Sequence, residues 1–262
     1  MKSAFNLPIS NNIGDYSVYK MRGSDKLIFR SKGGPTKEQI KTRDAFSRTR
    51  KLNSEFSAVT KCAGKIKRAI FGVKDLSDFN LNGGLTKILM YIKNLDTTSM
   101  VGQREIIISK YRSFLEAFSF NRGNPFDSIV TTPVSFTISR GQLKATVQFP
   151  ELQPGINFNP PASFGFYRFI AVFGIVSDVK LIGKSLNPAN PLVNYNPVQF
   201  RTDWLRPGLS FLPEELILDN AIVIDDSCTM MLSVGIEFGV VYANGVVEAV
   251  KNMGSGKVLG LG

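Results

Sequence analysis

The sequence predicts an α+β protein, with an N-terminal β-hairpin and about three helices followed by an antiparallel β-sandwich. Apolar residues recur at helical spacing only in the first half of the chain, and beyond Pro133 they alternate with period two. The later strands have no crossover helices between them, which a parallel sheet would need. The chain accordingly divides into a basic hairpin plus helical region, 1–125, and a sandwich, 126–262, with strands from about Val130 to Lys251.

The hairpin spans Ile13 to Ser31. Tyr16, Val18 and Lys20 form one strand, Arg22, Gly23, Ser24 and Asp25 the turn, and Leu27, Ile28 and Phe29 the return. Lys32, Gly33, Gly34 and Pro35 break the strand, and Thr36 with Gln39 three residues on has the capping-box pattern that opens a helix. A long helix is expected from there to about Gly72, with Leu52, Phe56, Val59, Ala63, Ile66 and Ile70 along one apolar face. Leu85, Ile88, Leu89, Ile92 and Leu95 mark a second helix. Ile107, Tyr111, Phe114, Leu115 and Phe118 mark a third, which the Ile106 to Ile108 run leaves open.

In the second half Val134, Phe136 and Ile138 alternate, Arg140 and Gly141 turn, and Leu143, Ala145, Val147 and Phe149 resume the alternation. Phe164 to Val176 and Val179 to Ile182 read as buried strands, Pro188 to Pro197 as a loop, and Val198 to Leu205 as another strand. Ser227 to Tyr242 and Val246 to Val250 flank Ala243, Asn244 and Gly245, where Asn-Gly suits a tight hairpin turn.

With 262 residues, 43% of them hydrophobic and 20% charged, the chain has the composition of a folded globular protein, and its 20 Phe suit broad packed surfaces. It contains no His, which excludes Ser-His-Asp, Cys-His and zinc-hydrolase chemistry. Cys62 and Cys228 are too few for a disulfide framework and lack zinc-site spacing, so two buried thiols in a reducing compartment are expected. Met1 to Ser10 holds no apolar run of signal-peptide length and nothing in the chain is long enough to span a membrane, so a cytoplasmic location is expected.

The net charge of +11 is unevenly placed: Met1–Lys74 holds 17 basic and 5 acidic residues, and the remainder 15 and 16. Lys41, Arg43, Arg48, Arg50 and Lys51 crowd the first half of the long helix, and Lys61, Lys65 and Arg68 fall on one stripe of its second half. These eight are the candidate polyanion-binding residues, in a field that gathers nucleic acid or an acidic surface in a salt-dependent way. Tyr16, Tyr19, Phe29 and Phe46 could stack bases beside them, but they alternate with core positions, and no nucleic-acid-binding signature accompanies them.

Other patterns fall short of chemistry. Gly254, Ser255, Gly256 and Lys257 resemble the end of a phosphate-binding loop, but Lys251 stands where its first Gly belongs and Val258 where its hydroxyl residue belongs, which leaves a flexible glycine tail. Ser177 and Lys180 have Ser-Lys spacing but lie in a strand, where residues three apart face opposite ways. Asp225 with Asp226, and Glu214 with Glu215, lack the staggered oxygens of a calcium loop. No catalytic residue, metal ligand or cofactor site is predicted.

The chain resembles a family of uncharacterised basic proteins of Bacteroidetes. The shared features are Gly14, Tyr19, Arg22, Gly23, Arg30 and Ser31 of the hairpin, Pro35, Thr36, Gln39, Arg43 and Phe46 of the helix start, and Ser139, Arg140, Gly141 and Leu143 of the later hairpin. That resemblance implies a bacterial source and no activity. The expected function is therefore non-enzymatic: a structural or assembly protein, a homo-oligomer through its β-surfaces, that meets an acidic partner through the basic helix. A nucleic-acid-binding protein is the alternative, and a hydrolase using carboxylates alone, such as a glycosidase, comes third. A basic segment ahead of a β-sandwich is also the layout of some virus coat proteins, which leaves a virion role open by analogy of fold.

Overall fold

The computed structural model describes residues 12–13, 16–20, 26–31, 33–161, 164–191, 193, 197–242 and 245–262. The turns read at Arg22 to Asp25 and at Ala243 and Asn244 lie outside them, as does Gly14. The chain forms two compact units, Met1–Arg50 and Lys51–Gly262.

In the first unit β1 (Asn12–Ile13), β2 (Tyr16–Lys20) and β3 (Leu27–Ser31) form an antiparallel sheet in that order, with Tyr16 opposite Ser31 and Lys20 opposite Leu27. The expected capping box opens α1 (Lys37–Thr42): the Gln39 N–H donates to Thr36 Oγ1 at 3.2 Å and the Thr36 N–H to Gln39 Oε1 at 2.9 Å. The helix does not run on to Gly72. It ends at Arg43, a single 3-10 turn follows at Asp44–Phe46, and α2 (Ser47–Ala69) starts afresh. Arg50 satisfies the break, its guanidinium donating at 2.8 Å to the carbonyls of Ile40 and Arg43. Among the described residues of this unit, Val18 is the only buried hydrophobic one.

The described residues of the second unit form most of α2, α3 (Leu81–Asn94), the single turn α4 (Phe126–Ile129) and ten strands. These are β4 (Ser135–Ser139), β5 (Lys144–Phe149), β6 (Phe166–Ser177), β7 (Val179–Ile182), β8 (Ser185–Pro188), β9 (Val198–Arg201), β10 (Glu214–Asp219), β11 (Cys228–Val241), β12 (Val247–Ala249) and β13 (Ser255–Leu261). One sheet runs β12-β11-β6-β9 with β13 also on β11, a second runs β10-β5-β4, and β7 and β8 pair separately.

β6 and β11 pair antiparallel from Phe166–Gly239 to Ser177–Cys228. Side chains alternate across a strand, so each of the two contributes to two cores. Phe169, Ala171 and Phe173 of β6, with Leu232, Val234 and Ile236 of β11, meet Ala145 and Val147 of β5 and Leu216 and Leu218 of β10, forming the sandwich. Ile170, Val172 and Met231, on the other face, meet Val59, Cys62 and Ile66 of α2 and Leu85, Leu89 and Ile92 of α3. Helices, large sheet and small sheet thus make three layers, and burial on both faces explains the unbroken apolar sequence of the central strands. The small residue Gly174 lets the outer helix approach, since a Cβ there would overlap the backbone of Ala69. The contacts therefore divide the chain at Arg50, and the boundary read near Asn124 falls inside a unit whose helices and sheet share a core.

The structure revises several other expectations. Leu52 and Phe56 are exposed, and the buried stripe of α2 runs through Glu55, Ala58, Val59, Cys62, Ala63, Ile66 and Ala69. The third helix is absent. Ile106 forms an extended bridge with Val179, Ile106 and Ile108 are both buried as alternating positions, and only a 3-10 turn at Arg112–Phe114 is helical. Three consecutive β-branched residues favour that extended form. The glycine tail is the buried strand β13. A Cβ at Gly256 would stand 2.9 Å from the Val234 carbonyl oxygen and 3.0 Å from the Phe120 ring, so glycine here allows close packing.

Candidate polyanion-binding surface

In the first unit Lys41 lies in the last turn of α1, Arg43 follows its end and Arg48 lies in the first turn of α2; all three are exposed. Arg50 is half-buried and its guanidinium is committed to the two carbonyls. Tyr16, Tyr19 and Phe29 are exposed, Phe46 is half-buried, and Val18, between the two tyrosines in sequence, is buried.

In the second unit Lys51 and Lys61 are exposed. Lys61, Lys65 and Arg68 follow one another at one-turn intervals, about 6 and 4.5 Å apart along the helix axis. They flank the buried stripe of Cys62, Ile66 and Ala69. Lys65 is half-buried; burial pushes its ammonium pKa down, the Arg68 charge adds to that, and Cys62 opposes it. An anion over this stripe would relieve the repulsion between like charges. The two cysteines are free and buried, and burial raises the Cys62 thiol to about 12, so it is inert.

The strongest polar geometry lies where no local motif marks it. Glu55, buried within the apolar stripe of α2, accepts from Lys93 Nζ at 2.9 Å, from Arg104 Nη2 at 2.6 Å and Nε at 2.8 Å, and from the Gly102 N–H at 2.7 Å. Burial alone would raise its carboxyl pKa, but Arg104, Lys93 and the Gly102 N–H together hold it down at about 2. A carboxylate so saturated is no general base; it fastens α2 to α3 and to the following loop. Its signal was an acid spaced with Val59, Cys62 and Ile66. On the large sheet Arg168 Nε reaches Glu237 Oε2 at 2.6 Å, Arg201 Nε lies 3.5 Å from the same oxygen, and the Arg168 guanidinium lies 4.2 Å from the Trp204 ring. Cross-strand pairing of Arg168 with Glu237 builds this cluster from residues far apart in sequence.

Other acids are also engaged. Asp96 accepts from the backbone of Thr98, Ser99 and Glu105 beside a cavity of about 270 Å³. Asp178 accepts from the Ser109 N–H and hydroxyl. Asp225 accepts from Ser227 and Asn190. Glu214 and Glu215 line a cavity of about 340 Å³ with Gln148 and Phe149, and burial, then the Asp203 charge, raises the Glu214 carboxyl. The Ser177 hydroxyl is buried, donating to the Asp178 carbonyl and accepting from the Asn190 N–H, whereas Lys180 is exposed. Among the described residues no group of three or more Cys, Asp or Glu could hold a metal, and no helix is long and apolar enough to cross a membrane.

No family model, curated protein or solved structure matches this chain.

Proposed function

We propose that this is a non-enzymatic assembly protein, which self-associates through its β-surfaces and engages an acidic partner through basic residues of α1 and α2. One observation carries the reading. Tyr16, Tyr19, Leu27 and Phe29 are 55%, 45%, 45% and 66% exposed on two five-residue strands, in a unit whose described residues include a single buried hydrophobic. A small sheet is stable when an apolar face is covered, and four large apolar side chains left open on ten residues call for a covering surface. Lys61, Lys65 and Arg68 support the acidic partner, for which nucleic acid is the first candidate. Two buried thiols accord with a reducing, cytoplasmic setting.

Solution mass by light scattering at low and high salt, with absorbance at 260 and 280 nm across the peak, tests both halves. The expected result is a species larger than one chain that persists in high salt, carrying nucleic acid only at low salt. A monomer at every concentration would overturn the assembly reading; a monomer that carries nucleic acid until salt removes it would favour the alternative of a nucleic-acid-binding protein.

A further inference from the structure

β3 and β10 each end a sheet. β3 is last in the order β1-β2-β3, and β10 is last in β10-β5-β4; among the described residues no strand pairs with the far side of either. Such an edge presents backbone N–H and C=O groups that another strand can complete. On β10 the side chains of Glu215, Ile217 and Asp219 are exposed on one face, while Leu216 and Leu218 point into the sandwich core. Along Lys26 to Arg30, the strand β3 and the residue before it, Lys26, Ile28 and Arg30 share one face and Leu27 and Phe29 the other.

We infer that β3 of one copy adds to the edge of β10 in a second copy, antiparallel, with Lys26 opposite Asp219, Ile28 opposite Ile217 and Arg30 opposite Glu215. This deepens the self-association reading and rests on it. In that register both charges on one strand meet opposite charges on the other, with an aliphatic pair between them on the solvent face. Leu27 then meets Leu218 and Phe29 meets Leu216, so the exposed apolar side chains of β3 continue the inner layer of the partner's sandwich. A slip of one residue would turn Leu27 and Phe29 to the solvent face, and a slip of two would leave both charge pairs unmatched, so the register is specified on both faces. A parallel alignment would also match charges; antiparallel pairing is the more stable per residue, and every strand pair in these sheets is antiparallel. Reciprocal exchange of the two edges would close the complex at two copies.

The test is a charge swap in the full chain. Lys26→Glu with Arg30→Glu makes both edges acidic, and Glu215→Lys with Asp219→Lys makes both basic. Each double variant alone should lose association by about ten- to hundredfold, and an equimolar mixture should recover it. Circular dichroism and thermal unfolding check that each variant is folded. Two folded variants that keep the wild-type mass would overturn this interface and leave self-association standing, whereas a monomeric wild type would remove the assembly reading itself. Folded variants that stay apart when mixed would also overturn the pairing. Oxidation of a chain carrying Lys26→Cys and Asp219→Cys should give covalently linked copies; linkage within one chain, or preferential linkage of Lys26→Cys to Glu215→Cys, would overturn the second-copy or the antiparallel assignment.

Discussion

β3 and β6 are both apolar strands in sequence, yet they end in opposite circumstances. β6 has a helical layer on one face and a second sheet on the other, and from Phe169 to Ser177 every residue is buried. In β3, Ile28 is half-buried and the other four residues are exposed. The apolar pattern of a strand states that it will be covered without stating by which molecule. The unit that starts at Lys51 buries its apolar residues within itself, whereas the described strands of the first unit leave most of theirs exposed.

The largest expected effect breaks the self-sufficient unit. Glu55→Ala strands Lys93 in the interior and should lower stability in urea by about 3–5 kcal/mol; a loss under about 1 kcal/mol would mean that the network is dispensable. Acid probes the same group. Its folded pKa is depressed to about 2 from an ordinary 4.5, so its contribution is full above the ordinary value and drains as pH falls from there towards 2. Stability measured across that window should fall for the wild type and fall less steeply for Glu55→Ala. Gly174→Ala pushes a methyl into the backbone of Ala69 and should cost about 1–3 kcal/mol in the same assay; an unchanged midpoint would show that the helical layer can shift.

Smaller effects sharpen the contrast from the other side. Replacing Lys61, Lys65 and Arg68 together by Gln should change stability by only about 0.5 kcal/mol but lower the salt dependence of polyanion binding by about two to three phosphate contacts. An unaltered salt slope would exclude that stripe from the contact. Phe29→Ser should leave unfolding of the second unit within about 0.5 kcal/mol while lowering the solution mass, and an unchanged mass would show that this side chain is covered by nothing.

Much of this fold was legible where local rules act. The Thr36–Gln39 capping box, the β4–β5 hairpin and the long strands β6 and β11 follow from capping and periodicity alone. The failures share a cause in tertiary contact. Leu52 and Phe56 have the spacing of a core face, but the rotation of α2 is set by Glu55 reaching Lys93 and Arg104, 38 and 49 positions away. β10 carries a weak signal because its polar face is acidic and it alternates over only six residues, and β13 because glycines that permit close approach look like glycines that permit freedom. Of the candidate site, the basic residues were visible as charge, but the engagement of Arg50 with helix-end carbonyls and the Arg168–Glu237 pair depend on partners that spacing does not reveal.

The long ladder between β6 and β11 has a consequence in time. Its nearest pair, Ser177 and Cys228, is joined by a loop of about fifty residues, and the others by longer ones. Turns of α2 and α3 form from neighbours within microseconds, whereas pairing across such a loop places the central sheet among the slower events, on the order of milliseconds to seconds. During that interval the most apolar strands of the chain are made but unmatched. Encounters between chains then compete with closure within one chain, so the yield on refolding should rise with dilution.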